Sequence, residues 1–592
     1  MQITPTENNL PLRPADFTTL AAALDYAAQG ETGYNFYDGR GRLNTVLSYA
    51  QLRDEAREIA LRFNRLRLER GARVALIAHT GPDFMKIFFA CQYAGLVPVP
   101  LPATMFLGGR QAFEAQLRRL VVDCQASAAM AAADFMPFLH AAVDEIGLQF
   151  VGQISDLPEK CGNFADLNPS AVDEVAYLQY TSGSTRYPRG VIITQKAVMH
   201  NLVAIVVEGV RIEAGDRCCS WLPFYHDMGL VGMVLAPMAS QLSTDYLETR
   251  DFAMRPRLWL TLMSQNESTI SFGPPFGYEL CSRRLRDQPH SDLNLRAWRV
   301  AGVGAEMIRA ETLAHFAEVM QVYGFDEKAF VPCYGMAECS LAVSFAALDG
   351  GCKIDAIDAD SFSTGSRTLP VTEVGTSENR VSEFVICGRP LSGFEVEVRD
   401  GDNNPLPERY CGTLFVRSAS VMTGYLGKEA ETREVLSADG WLNTGDLAYR
   451  VGDDLVITGR QKDLIIINGR NIWPQDMEFL TEQQPEVRPG DASAFSITGV
   501  DGSERAILVV QCRKLEQTTR SELAMRLHSL IKEELGIECL VELVPRNTLP
   551  RTTSGKLSRS GARKGFLERH SAEKLDVSAT LFSFPEFDEQ AV

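Results

Sequence analysis

Between Val74 and Pro100 a buried strand, a helix and a second strand follow one another, and this succession constrains the fold more than any other feature of the chain. Val74 to Ala78 is an unbroken apolar run of strand length. Asp83 to Gly95 has helical spacing and ends on a glycine, a common helix stop. Val97 to Pro100 is apolar again. Two strands joined through a helix cannot pair as a tight hairpin, so they lie parallel in one sheet. The expected fold class is α/β.

The alternation recurs. Val175 to Tyr180 is strand-like, Lys196 to Val207 helix-like, and Ser220 to Pro223 and Thr269 to Phe272 read as strand ends. From Phe384 the character changes to short β-rich runs separated by turn residues: Glu395 to Val398, Thr413 to Arg417, Leu447 to Val451, Leu455 to Thr458 and Leu464 to Asn468. An α+β tail follows, with helices near Pro474 to Gln483 and Arg520 to Leu535 and strands near Ala506 to Gln511 and Leu540 to Val544. A chain of 592 residues that is 45% hydrophobic is too long for one ordinary domain and apolar enough for several cores. We expect a large N-terminal domain of mixed α/β layers over 1–461, with a β-rich subdomain at about 384–461, and a smaller α+β domain over 462–592. Gly350 to Val381 is polar and rich in Ser, Thr, Gly and Asp, and reads as a surface loop of unusual length.

The formal charge of -18 disfavours general nucleic-acid binding. The charge is uneven: Val541 to Lys574 holds eight Lys or Arg against three Glu. The 13 cysteines are odd in number, lack any C-x-x-C pair, and read as reduced thiols. Met1 to Asp16 has no apolar signal core, and no run of about 18 apolar residues occurs. A soluble cytoplasmic protein is expected.

Six segments carry chemistry-bearing residues. Thr181-Ser182-Gly183-Ser184-Thr185-Arg186-Tyr187-Pro188-Arg189-Gly190 joins two strands with small hydroxyl residues, glycines and two arginines, a composition that lets backbone approach phosphate. A hairpin loop with solvated arginines is an equal reading of it alone. No Walker A pattern occurs, and Gly302-Val303-Gly304-Ala305-Glu306-Met307 is no dinucleotide fingerprint, since Met stands in place of the last glycine. Trp221 to Gly229 places His226 at a strand-to-loop transition without a metal-ligand partner at suitable spacing. Cys333-Tyr334-Gly335-Met336-Ala337-Glu338 offers a ring, open backbone and a carboxylate for a hard cation such as Mg²⁺. Asp446, in Trp441 to Asp446, suits the two hydroxyls of a ribose, or is a plain Gly-Asp turn. Gly459 to Asp463 holds Arg460 and Lys462, and Leu549 to Leu557 holds Lys556 on a polar turn, where an exposed surface lysine is the bland reading.

In this order the segments resemble the adenylate-forming superfamily: acyl-CoA synthetases, luciferases and peptide-synthetase adenylation domains. The resemblance runs from about Tyr34 to Lys564. Within the superfamily the chain is most similar to the fatty acyl-AMP ligases. This rests on Tyr225-His226-Asp227-Met228-Gly229, on Gly469-Arg470-Asn471-Ile472-Trp473-Pro474-Gln475-Asp476-Met477-Glu478, on Arg186, and on Gly350 to Val381 standing where these ligases carry an insertion. That insertion implies a restrained C-terminal domain and disfavours CoA as acceptor.

The resemblance implies ATP and Mg²⁺ as cofactors, with a mobile C-terminal domain. Thr181, Ser182, Gly183, Ser184 and Thr185 would hold the triphosphate. Gly304, Ala305 and Glu306 would flank adenine and the acyl pocket, which is expected near Ser271 to Tyr278. Tyr334 would stack on adenine within Tyr334-Gly335-Met336-Ala337, Glu338 would bind Mg²⁺, and Asp446 with Arg460 would hold the ribose. Lys556 would stabilise the transition state, His226 would border the acyl site, and Lys462 would be the hinge. Arg189 departs from the usual lysine. The implied reaction activates a fatty acid to acyl-AMP, releases pyrophosphate, and passes the acyl group to the phosphopantetheine thiol of a separate acyl carrier protein. The basic C-terminal segment, with Arg559, Arg563 and Lys564, is the expected carrier-docking surface. A fatty acyl-CoA ligase and a catalytically silent nucleotide- or carrier-binding scaffold are the alternatives.

Overall fold

The computed structural model describes residues 10–103, 109–181, 188–287, 292–359, 362, 364–374, 381–467, 470–498, 504–512, 517–551, 557–570 and 582–583. The strand–helix–strand unit is Arg73–Ile77, Pro82–Ala94 and Val97–Leu101, its strands parallel from Arg73 opposite Val97 to Ile77 opposite Leu101. The helix opens on Pro82, where the missing N–H costs nothing, and stops at Gly95 in the left-handed region. Ala128–Met130 and Phe150–Gly152 extend this into a four-stranded parallel sheet.

A nine-stranded sheet forms the larger layer. Its parallel centre includes Arg217–Ser220, Ser243–Leu247, Ile270–Gly273, Val300–Val303 and Phe330–Gly335. Three neighbouring strands meet at Asp245. Arg217 Nε lies 2.7 Å from Asp245 Oδ2, and Asn35 Nδ2 donates to Oδ1 at 2.8 Å. A carboxylate this deeply buried is tolerable because two adjacent strands satisfy it.

The β-rich region is a four-stranded antiparallel sheet of Glu395–Arg399, Gly412–Arg417, Leu442–Val451 and Asp454–Arg460. The third strand begins earlier than the expected Leu447, because Thr444 donates to Leu414 O at 2.8 Å and keeps the polar stretch in the ladder.

Gly350 to Val381 is not simply the expected surface loop. Ile354–Asp358 is a strand paired antiparallel with Val381–Val385, and Val371–Val374 is a helical turn. Buried Asp355 accepts from Arg409 at 2.9 and 3.1 Å and from the Tyr449 hydroxyl at 2.7 Å. Polar composition here serves a buried network as well as solvent.

Beyond Asp463 the chain builds separate cores. Glu504–Cys512 alternates: Leu508 and Val510 share a core with Leu523, Leu527 and Ile531 of helix Gln517–Leu535, while Ile507 and Val509 share one with Phe566 of helix Arg559–Arg569. Period-two alternation with both faces apolar is what a sheet covered on both sides requires. Part of the basic segment is already paired, while Arg563 and Lys564 stay exposed. Arg559 is held by Glu478 and Asp463, Arg569 and His570 by buried Glu542, and Lys564 by Glu568. The cysteines are free thiols, and no described helix is long and apolar enough to cross a membrane.

Candidate active site

Strand ends of the large lobe and the helix Pro474–Glu482 of the small lobe enclose a cavity of about 1220 Å³. Antiparallel register builds its polar end. Asp446 stands opposite Arg460 in the ladder, with Arg460 Nε 2.9 Å from Oδ1. The Tyr334 hydroxyl, from the end of strand Phe330–Gly335, donates to Oδ2 at 2.6 Å. The Asp446 carboxylate raises Arg460 above its ordinary value, and burial raises the Tyr334 phenol. A carboxylate has about four lone-pair sites, so Asp446 retains acceptors for a ligand's hydroxyls. Tyr334, expected to stack on adenine, also fixes Asp446.

Glu338 follows in the 3-10 turn Ala337–Cys339. The Tyr425 hydroxyl donates to its Oε1 at 2.8 Å. Burial is the main cause of its raised pKa, and a cation beside it would oppose that shift. Among the described residues no group of three His, Cys, Asp or Glu forms a metal cage. Mg²⁺ shared between one carboxylate and substrate phosphates needs none, and Glu338 fits that use.

Thr181, His226, Ala305 and Glu306 also line the cavity, with Gly335, Met336 and Ala337. The Thr181 N–H donates to Arg189 O at 3.1 Å across the mouth of the strand pair Val175–Tyr180 and Gly190–Thr194. His226 sits in the turn before Met228–Leu235, with Nδ1 2.7 Å from Asp227 Oδ1. Gly229 makes that turn possible: a Cβ there would lie 2.1 Å from Pro223 O. Gly304 is off the cavity wall; a Cβ on it would meet Cys333 Sγ at 2.9 Å, so close strand approach explains the glycine. Lys462, in the exposed turn Gln461–Asp463, is also off the wall. Ser182, Gly183, Ser184, Thr185 and Lys556 lie outside the described residues, as does Arg186.

Apolar side chains make another part of the wall, Phe272, Phe276, Leu280, Ile308, Leu341 and Phe345, with Glu279 and Arg283 on the same helix as Phe276 and Leu280. Within the expected Ser271 to Tyr278 stretch, Phe272, Pro275 and Phe276 reach the cavity. Ser271 and Tyr278 turn to backbone carbonyls instead, of Cys219 and Gly302.

Several wall residues carried no sequence signal. Arg309 donates to Gln475 O at 2.6 Å and stacks over Phe479 at 4.4 Å, joining the lobes. Glu482 is pushed up to about 8, first by burial and then by Glu478, with Glu279 of the large lobe adding to it. Tyr425 lies outside all six quoted segments. The arrangement suits a polar, phosphate-bearing group at one end and an apolar chain at the other.

A family model described as AMP-binding enzyme matches residues 27–426. A putative acyl-CoA synthetase of Caulobacter vibrioides is 43% identical over 96% of this chain and 98% of its own length. The medium-chain-fatty-acid–[acyl-carrier-protein] ligase JamA of Moorena producens is 30% identical over 93% of this chain and 96% of its own. A structure from a study of fatty acyl-adenylate ligases of E. coli and L. pneumophila superposes with a TM-score of 0.89 at 45% identity, covering 95% of this chain and 100% of that one.

Proposed function

The chain belongs to the family of AMP-binding enzymes, and from that premise we propose that it is a fatty acyl-AMP ligase that loads an acyl carrier protein. The observation that carries this is one cavity joining the Asp446–Tyr334–Arg460 cluster to an apolar stretch of its wall. The fatty carboxylate attacks the α-phosphorus of ATP; the acyl O–P bond forms, the bond to the β-phosphate oxygen breaks, and pyrophosphate leaves. Asp446 orients the ribose, and the hydroxyls of Thr181 to Thr185 with Lys556 stabilise charge on the phosphoryl oxygens. Mg²⁺, when bound at Glu338, neutralises phosphate charge. His226 borders the acyl carboxylate. The carrier's thiol then attacks the acyl carbon, a C–S bond forms, and AMP leaves.

We treat 1–461 and 462–592 as two domains hinged at Lys462, which lies in an exposed turn between the strands Asp454–Arg460 and Ile465–Ile467. Free thiols support a reducing, cytoplasmic setting.

The name of the Caulobacter relative favours CoA as a second reading of the acceptor. Against it stands a contact from the 350–381 segment. Phe362 packs 5.8 Å from Trp473, the residue leading into the small-lobe helix Pro474–Glu482. Trp473 also lies over Gly459, where a Cβ would come within 2.8 Å of the ring. This tie supports a restrained small lobe and hence the carrier as acceptor. Incubation with ATP, Mg²⁺ and medium- and long-chain fatty acids, without acceptor, tests the first half-reaction. Acyl-AMP and pyrophosphate in equal amounts are expected; neither product with any chain length refutes the reading.

A further inference from the structure

We propose that Arg189 and Glu431 form a clamp that positions Tyr425, and through its phenol Glu338, for the cation; this rests on Glu338 being the cation's ligand. Arg189 occupies the end of the phosphate loop, yet its guanidinium turns to Glu431, with Nε 2.9 Å from Oε2, and lies 4.9 Å over the Tyr425 ring. Tyr425 in turn donates to Glu338 at 2.8 Å. Arg189 is thus committed to the Glu338 side of the cavity rather than being a free phosphate ligand.

Local structure fixes each part. Gly424–Tyr425 pairs antiparallel with Gly190–Thr194, placing Tyr425 opposite Val191, two residues past Arg189. The Leu426 N–H donates to Gly190 O at 2.9 Å, and the Tyr425 N–H to Thr432 Oγ1 at 3.0 Å. Helix Glu429–Val435 then carries Glu431 to Arg189. Gly424, at φ +151°, packs against Thr432, where a Cβ would meet Cγ2 at 2.9 Å.

The Arg189–Glu431 pair is partly exposed, at 20% and 41%, so as an ion pair it contributes little stability. Its effect is geometric. A planar guanidinium pairs with a carboxylate and stacks on a ring at once; a lysine ammonium does not match both contacts. With Tyr425 held over Oε1, the carboxylate presents its remaining lone pairs in a fixed direction. Tyr425, Arg189 and Glu431 are positioning residues in this account.

The test is equilibrium binding of a fluorescent ATP analogue at stepped Mg²⁺ concentrations, without fatty acid, for wild type, Tyr425→Phe, Glu431→Gln and Arg189→Lys. Tyr425→Phe is expected to raise the Mg²⁺ concentration for half-maximal enhancement about tenfold. The other two raise it less, and affinity without Mg²⁺ stays unchanged in all three. The swapped pair Arg189→Glu with Glu431→Arg restores part of the loss seen in Arg189→Glu alone, which separates the clamp from misfolding. An unchanged Mg²⁺ requirement in Tyr425→Phe and Glu431→Gln overturns the clamp. So does an Arg189→Lys enzyme that loses affinity equally with and without Mg²⁺, which makes Arg189 a phosphate contact. No Mg²⁺ dependence in wild type removes Glu338 as ligand and the clamp with it.

Discussion

The two ends of the cavity hold their carboxylates differently. At the end we assign to the nucleotide, Asp446 and Glu338 rise from a strand and a tight turn of the large lobe, and a phenol from a neighbouring element fixes each at 2.6 and 2.8 Å. At the interlobe end, Glu478 and Glu482 ride on one small-lobe helix and face Glu279 across the gap. Arg559 neutralises Glu478 at 2.6 and 2.8 Å, and Glu482 has a backbone N–H from Gly490 at 2.7 Å. Groups that orient a reacting nucleotide need fixed geometry, which β-ladder register provides. Groups on the small lobe, by contrast, owe their state to neighbours on both sides of the gap, as Glu482 does to Glu478 and Glu279.

This contrast predicts large losses at the nucleotide end and conditional effects at the other. Lys556→Ala should slow adenylate formation by about 10²–10³, with folding intact, since one charge on the transition state is lost. Circular dichroism with a pyrophosphate assay checks both halves. Asp446→Ala removes a charged acceptor and leaves Arg460 without its ion pair; two charged hydrogen bonds at ~1.5–3 kcal/mol each put the loss in kcat/KM for ATP at about a hundredfold or more. An Asp446→Ala enzyme with wild-type ATP kinetics would break the assignment.

Trp473→Ala addresses the interlobe tie. An aromatic contact is worth about 1 kcal/mol, so the ratio of CoA to carrier loading should rise about fivefold, read by mass spectrometry of both products. Glu482→Gln gives a pH-dependent difference. Its carboxyl titrates near about 8 when folded, against an ordinary 4.5. Between those values the folded protein holds a proton that the unfolded chain has lost, so stability falls as pH rises through the window. Below it the variant and wild type should melt alike; above about pH 8 the glutamine variant should melt a few degrees higher. Equal melting curves at both ends would place Glu482 in open solvent. The smallest effect is expected for Arg563→Glu with Lys564→Glu, about two- to threefold slower carrier loading at low salt with adenylate formation unchanged. Arg559 leaves this test because Glu478 and Asp463 already hold it.

Much of the fold was legible wherever local pattern decides it. The Val74 to Pro100 unit, the β-rich runs and the tail helices follow from periodicity and turn residues alone. Gly350 to Val381 was not, because Asp355 is polar for the sake of Arg409 and Tyr449, partners far away in sequence. Net charge likewise does not say which basic residues are already paired: Arg559 and Arg569 are, while Arg563 is exposed. In the site, Asp446, Tyr334 and Glu338, expected from two separate short segments, come together on one cavity wall. Tyr425, Glu431 and Arg309 were missed, since each matters through a contact between elements and none lies in a motif.

The account's central claim concerns where the acyl group goes. Wild-type enzyme given ATP, Mg²⁺, a fatty acid, CoA and a holo acyl carrier protein together, with both thiols assayed by mass spectrometry, tests it most directly. The account predicts acyl-carrier protein with little or no acyl-CoA. Acyl-CoA as the main product, with the carrier left unloaded, would contradict it.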